Sequence, residues 1–124
     1  MSNSRNTKQK SAIRDVLHEV SRPLTAQEIE KLAAKIVPGI GIATVYRAIK
    51  RLQEDREIAV VEIAGKAPLY ELTDKGHHHH FVCNECGRVF DIEDRGENLD
   101  KMAPKGFQVD KHEITFFGKC DRCD

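Results

Sequence analysis

Three stretches in the first half of the chain carry apolar residues at helical spacing, with polar residues on the opposite side. The pattern predicts helices over 7–20 and 26–36, and a third helix after the Gly-Ile-Gly turn that follows them. Thr25 and Glu28 have the spacing of a capping box at the start of the second helix. Three short helices joined by tight turns predict a helix-turn-helix core.

The apolar pattern then changes from helical to strand-like. Two β-rich runs, 58–63 and 69–72, flank a turn-forming Ala-Gly-Lys-Ala-Pro segment, and this hairpin would be the wing of a winged helix. Further strands are predicted at 77–83, 88–92 and 112–117, with a brief helix at 98–103. We therefore predict an α+β fold, with a winged helix-turn-helix domain over 1–73 and a small α/β domain over 74–124.

Charge divides the chain more sharply than the net charge of zero suggests. Residues 1–56 contain 11 lysines and arginines against 6 acidic residues, whereas the remainder contains 9 against 14. A basic half beside an acidic half favours a polyanionic partner for the first half. The chain has no apolar run of membrane-spanning length and no apolar leader, so we expect a cytoplasmic protein without a membrane segment.

The third predicted helix has the composition of a recognition helix. Its apolar stripe leaves one polar and basic face, formed by Thr44, Tyr46, Arg47, Lys50 and Arg51. Arginine and lysine suit phosphate oxygens and guanine edges, and tyrosine can meet a thymine methyl group or a phosphate. Arg5 and Lys10 could reach the DNA backbone or minor groove, although a solvated N-terminal segment explains them equally well.

All four cysteines lie in the second half, as Cys83-x-x-Cys86 and Cys120-x-x-Cys123, with 33 residues between the two pairs. Two residues between cysteines allow both thiolates of a turn to face one tetrahedral ion, and two such turns complete a closed shell. We predict a structural zinc ion that stabilises a small domain, in preference to a redox dithiol or a pair of disulfides.

Four consecutive histidines precede the first cysteine pair. In an extended strand His77 and His79 would face one way and His78 and His80 the other, so a single strand can serve two metal sites. Other donors are close in the sequence: Glu71, Asp91, Glu97 and His112. Because the zinc shell uses every cysteine, these sites would consist of nitrogen and oxygen ligands, suited to Fe(II), Mn(II), Zn(II), Ni(II) or Co(II).

In combination these motifs resemble the ferric uptake regulator family, which includes iron, zinc, manganese, nickel and peroxide sensors. The resemblance runs from residue 5 to residue 123. It rests on Gly-Ile-Ala-Thr-Val-Tyr-Arg at 41–47, on the histidine run leading through Phe-Val into Cys83-x-x-Cys86-Gly87, and on the terminal Cys120-x-x-Cys123.

The resemblance implies a homodimer that pairs through its C-terminal dimerisation domains and binds an A·T-rich palindrome in double-stranded DNA as a metal-loaded repressor. It implies that Tyr46 and Arg47 contact bases and backbone and that Arg5 enters the minor groove. It assigns the sensory site at the hinge to Glu71, His78, His80 and Asp91, and the second site to His77, His79, Glu97 and His112.

The chain departs from the family pattern in two places. The family's sensory site commonly takes a histidine from the loop before the second helix, and residues 22–25 contain none. The segment 92–107 is also shorter than usual. His79 stands where many iron sensors have aspartate, and four histidines resemble some zinc-uptake regulators, which often use an additional cysteine. Iron or zinc is the expected effector, with a peroxide-sensing regulator as the alternative.

Two other classes of function are weaker predictions. A zinc enzyme would need an open metal position beside a general base in a substrate cleft, and so short a chain offers little room for one. We therefore expect no enzymatic activity and no small-molecule substrate. A protein-interaction module with structural zinc would use the winged helix without binding DNA.

Overall fold

The computed structural model of the chain describes residues 2–93 and 98–123, with side chains from residue 6 onward. It has the predicted α+β architecture and divides into two compact units, Met1–Lys75 and Gly76–Asp124. The division lies two residues after the predicted domain boundary. Within the described ranges, no helix combines the length and the apolar character needed to cross a membrane.

Three helices form the core of the first unit: α1 (Ser2–Val20), α2 (Ala26–Ala33) and α3 (Ile42–Glu54). Their apolar stripes meet, so that Leu17, Ile29 and Leu52 are almost fully buried together. The predicted capping box begins α2, because the Thr25 hydroxyl accepts a hydrogen bond from the Glu28 amide at 3.1 Å and the Glu28 carboxylate accepts one from the Thr25 amide at 3.0 Å. The helix-turn-helix prediction is therefore confirmed in structure.

Two helix boundaries differ from the prediction. Helix α1 begins at Ser2 rather than at residue 7. Helix α2 ends at Ala33, three residues early, and the side chain of Ile36 is 52% exposed instead of continuing the apolar stripe. Pro38 disfavours a helical conformation at the residue before it, and Gly39 has a φ of 84°. The chain therefore leaves the helix through a turn, which carries Ile36 away from the core.

The wing is a three-stranded sheet in the order β1-β3-β2, made by β1 (Leu24–Thr25), β2 (Ile58–Val61) and β3 (Leu69–Leu72). Strands β2 and β3 are antiparallel, with Ile58 opposite Leu72. Strand β2 is two residues shorter than predicted. The short strand β1 was not predicted, and its pairing with β3 joins the wing to the start of α2.

The second unit is a sheet in the order β5-β4-β6, formed by β4 (His78–Cys83), β5 (Val89–Glu93) and β6 (Thr115–Gly118). Strand β4 is central; it is antiparallel to β5 and parallel to β6. The brief helix predicted at 98–103 is a 3₁₀ turn over Leu99–Met102. Strand β6 begins three residues later than predicted. The central strand thus carries the histidines along its length and Cys83 at its end.

Candidate metal centres and nucleic-acid interface

The pairing of β4 with β6 brings the two cysteine pairs together. Cys83 is the last residue of β4 and lies opposite Gly118, the last residue of β6, so Cys120 follows directly beside the first cysteine turn. Gly87 closes that turn by donating its amide to the Cys83 carbonyl at 2.9 Å, with a φ of 76°. A positive φ costs glycine little, which explains why glycine suits this position.

The four sulfur atoms have the spacing of a zinc shell. The Cys83 and Cys123 Sγ atoms are 3.8 Å apart, those of Cys86 and Cys120 are 3.9 Å apart, and those of Cys120 and Cys123 are 3.5 Å apart. Zn–S bonds of about 2.3 Å put the corners of a tetrahedron about 3.8 Å apart. A disulfide would require about 2.0 Å between sulfur atoms. The chain therefore carries a four-cysteine cluster whose dimensions fit zinc.

Backbone amides stabilise the thiolate form of Cys83, which is the form that binds a metal ion. The amides of Cys86 and Cys120 each donate to the Cys83 Sγ at 3.4 Å. These hydrogen bonds, that of Cys86 above all, lower the pKa of Cys83 to about 6. The hydrogen bond with the Cys120 thiol raises the pKa of Cys123 to about 12. Without a metal ion, the cluster therefore favours one thiolate, at Cys83. All four cysteines would be deprotonated together only when a bound cation offsets their negative charge.

One face of β4 forms a cluster of two imidazoles and a carboxylate. His80 lies opposite Asp91 on β5, and the Asp91 Oδ1 is 3.6 Å from the Nε2 atoms of both His78 and His80. The Nδ1 of His78 is 2.8 Å from the Gly76 carbonyl oxygen. Because a carbonyl can only accept, His78 Nδ1 is the donor in this hydrogen bond, which leaves Nε2 as the ring nitrogen on the side of Asp91.

The opposite face gathers the other two histidines of the run with His112. The Nε2 atoms of His77 and His112 are 3.4 Å apart, and the donor nitrogens of His77, His79 and His112 all lie within 4.8 Å of one another. The His79 side chain is buried, and its Nδ1 accepts the Ile114 amide at 3.2 Å. On the outer side of His112, Nδ1 lies 3.1 Å from the Asp100 Oδ1.

The four histidines alternate as the sequence predicted, with His77 and His79 on one side of the strand and His78 and His80 on the other, all within the second unit. Glu71 is buried on β3 of the first unit, where its carboxylate is 3.7 Å from the Lys75 ammonium. Glu97 lies outside the described residues. Asp100 was not predicted to take part in a metal site, because the sequence around it carries no metal-binding pattern.

The predicted recognition face lies on α3. Tyr46, Arg47, Lys50 and Arg51 are exposed and Thr44 is half-buried. The Arg47 guanidinium donates to the Thr44 hydroxyl at 3.0 Å, which holds its side chain along the helix surface. Lys10 on α1 is engaged with Asp55 at 3.1 Å, and the side chain of Arg5 lies outside the described ones. Among the predicted DNA-contacting cations whose side chains are described, the exposed ones are Arg47, Lys50 and Arg51 on α3.

Comparisons with known proteins agree with this architecture. A model of the ferric uptake regulator family matches residues 1–117. The ferric uptake regulation protein of Bacillus subtilis strain 168 is 33% identical in an alignment 120 residues long, which covers 92% of this chain and 80% of that protein. The Helicobacter pylori regulator structure, with three functional metal binding sites, gives a TM-score of 0.73 at 25% identity, covering 94% of this chain and 79% of that one. The Vibrio cholerae regulator gives 0.73 at 28% identity, covering 90% and 88%.

Proposed function

The chain belongs to the ferric uptake regulator family, and from this premise we propose that it is a metal-dependent repressor of genes for metal uptake or homeostasis. Members of the family are metal-responsive, DNA-binding transcription regulators and not enzymes. The repressor role and the choice of effector metal belong to our proposal. Iron(II) or zinc(II) is the proposed effector.

The observation that carries the proposal is the convergence of His78, His80 and Asp91. One carboxylate oxygen lies at equal distance from two imidazole nitrogens, and the Gly76 carbonyl fixes the tautomer of His78. Two imidazoles and a carboxylate are a borderline donor set that suits Fe(II) and Zn(II). The glutamate that the family resemblance adds to this set, Glu71, stays a prediction from the sequence.

The cysteine cluster has a different proposed role. A bound zinc ion would draw four thiolates into one closed shell, with no open position for a substrate or a signal. We therefore assign zinc at Cys83, Cys86, Cys120 and Cys123 to the stability of the second unit. Sensing is assigned to the histidine clusters. Closely spaced cysteine pairs of this kind are typical metal ligands in a reducing compartment, which supports the proposed cytoplasmic location.

Regulators of this family are DNA-binding dimers, and we propose that this chain forms a homodimer through its second unit. The exposed aromatic side chains of that unit support the proposal, since Phe107 is 71% exposed and Phe117 is 59% exposed. Exposed large apolar side chains are candidates for an association surface. A two-fold dimer presents two recognition helices, so the proposed operator is a palindrome, and the family resemblance adds that it is A·T-rich.

The test is the affinity of the zinc-loaded protein for operator DNA with and without each divalent metal. We expect Fe(II) or Zn(II) to tighten binding by 5- to 150-fold, the range of roughly 1 to 3 kcal/mol in coupling free energy. The operator is first selected from random duplexes at fixed ionic strength, because protein–DNA affinity depends strongly on salt. Affinity that responds to no metal would reject the sensor.

Replacing Arg47 by alanine is expected to weaken operator binding without changing metal content. An arginine that reaches a base edge or phosphate contributes about 1–3 kcal/mol, which corresponds to roughly 5- to 150-fold in the dissociation constant. The measurement is fluorescence anisotropy with labelled operator, together with metal analysis of both proteins. Arg88→Ala is the matched control, because Arg88 is an exposed arginine of the second unit. Equal affinities for the wild type and Arg47→Ala would remove Arg47 from the interface.

A further inference from the structure

We propose that Asp100 is the positioning residue of the second metal cluster: it holds His112 with Nδ1 protonated, so that the Nε2 lone pair faces a divalent cation shared with His77. The inference rests on the proposed metal-binding function and adds a residue that the sequence did not indicate.

The hydrogen bond to Asp100 determines which nitrogen of His112 is free. An ionised carboxylate only accepts, so at 3.1 Å from the Asp100 Oδ1 the His112 Nδ1 is the donor. The lone pair of the neutral ring then lies on Nε2, which is 3.4 Å from the Nε2 of His77. Zn–N bonds of about 2.0–2.1 Å put two nitrogens of a tetrahedral shell roughly 3.3–3.4 Å apart. The two rings thus already have the spacing of ligands.

The same geometry argues against Asp100 as a ligand. Nδ1 and Nε2 lie on different sides of the imidazole, so a cation held at Nε2 is separated from the carboxylate by the ring itself. A carboxylate behind a ligating histidine fixes the orientation of the ring and raises its basicity, and loss of such a partner typically lowers metal affinity by 10- to 100-fold. Asp100 has the geometry of this arrangement.

His79 shows why the orientation of each ring matters. Its Nδ1 accepts a hydrogen bond from the Ile114 amide, so the neutral ring carries its proton on Nε2. For Nε2 to bind a metal, the proton must move to Nδ1, and the hydrogen bond from Ile114 must break. His112 needs no such proton shift, because Asp100 accepts a hydrogen bond from its Nδ1 and leaves Nε2 unprotonated. The contact between Asp100 and His112 would add little to the stability of the fold as a surface ion pair, since the side chain of Asp100 is 53% exposed. Its effect on the orientation of His112 is the better explanation.

The experiment measures Co(II) binding to the full-length, zinc-loaded protein in a His80→Ala background, which removes the other histidine cluster. We expect Asp100→Ala to weaken Co(II) binding by 10- to 100-fold while leaving the visible d–d spectrum of the saturated protein unchanged. Asp100→Asn keeps an acceptor oxygen and should bind Co(II) more tightly than Asp100→Ala. Asp110→Ala removes an exposed carboxylate two residues before His112 in the sequence and should bind as the background protein does.

Three outcomes would overturn the inference. An unchanged affinity in Asp100→Ala would show that His112 needs no partner. A changed d–d spectrum would make Asp100 a ligand. An Asp100→Asn variant that binds no better than Asp100→Ala would show that the hydrogen bond is not the cause. Failure of the proposed function would look different, because Co(II) would still bind here while operator affinity responded to no metal.

Discussion

Replacing Cys120 by serine is expected to abolish zinc retention and to unfold residues 76–124 while the first unit stays folded. Serine does not ionise near neutral pH, so the shell loses a thiolate that nothing else in the cluster replaces. The second unit has little else to stabilise it. Among the described residues, its buried apolar side chains are those of Val82, Cys83 and Val89. Structural zinc contributes apparent binding energies of about 10–16 kcal/mol in small peptides, which far exceeds the stability of such a core.

Amide hydrogen exchange distinguishes this result from general destabilisation. Protection should disappear along β4 and persist along α3, and zinc content should fall by one ion per chain. Lys119→Ser introduces the same side chain at the exposed neighbour of Cys120 and should retain both zinc and protection. A Cys120→Ser protein that has lost this zinc ion but keeps a fully protected β4 would refute the stabilising role of the cluster.

The amphipathic pattern predicted the helices because their burial follows the helical period. Val45, Ala48, Ile49 and Leu52 recur on one side of α3, and all four are buried. The N-terminal extension of α1 had no such signal, since its first residues are polar. The end of α2 was predicted three residues too late because Ile36 fits the apolar stripe of the helix. The Pro-Gly pair that follows favours a turn there, and the helix ends at Ala33. Local patterns therefore fixed the cores of the elements better than their ends.

The metal clusters show the same division between local and long-range information. The alternation of side chains along a strand is a local property, and it predicted which histidines share a face. The convergence of the two cysteine pairs depends on the parallel pairing of β4 with β6, across 33 intervening residues that the spacing alone does not constrain. Asp100 meets His112 through the same long-range folding, so its sequence neighbourhood gave no sign of that contact.

Replacing His80 by alanine is expected to remove the response of DNA binding to metal while preserving the metal-free affinity. Its Nε2 shares the Asp91 carboxylate oxygen with His78, and losing one imidazole leaves one nitrogen and one carboxylate in this unit. The wild type should gain 5- to 150-fold in operator affinity on adding its effector, and His80→Ala should gain less than twofold at the same metal concentration. The α3 face is untouched, so binding without metal should be equal in the two proteins.

A ligand can shift a conformational equilibrium only by its difference in affinity for the two states. If His80 is a sensory ligand, its loss must therefore reduce metal affinity and the DNA response together, and operator DNA must in turn tighten metal binding to the wild type by the same factor. His18→Ala makes the same substitution on the exposed side of α1 and should keep the full response. Full metal stimulation in His80→Ala would exclude the His78, His80 and Asp91 cluster as the sensor and leave the cluster of His77, His79 and His112 to explain any response.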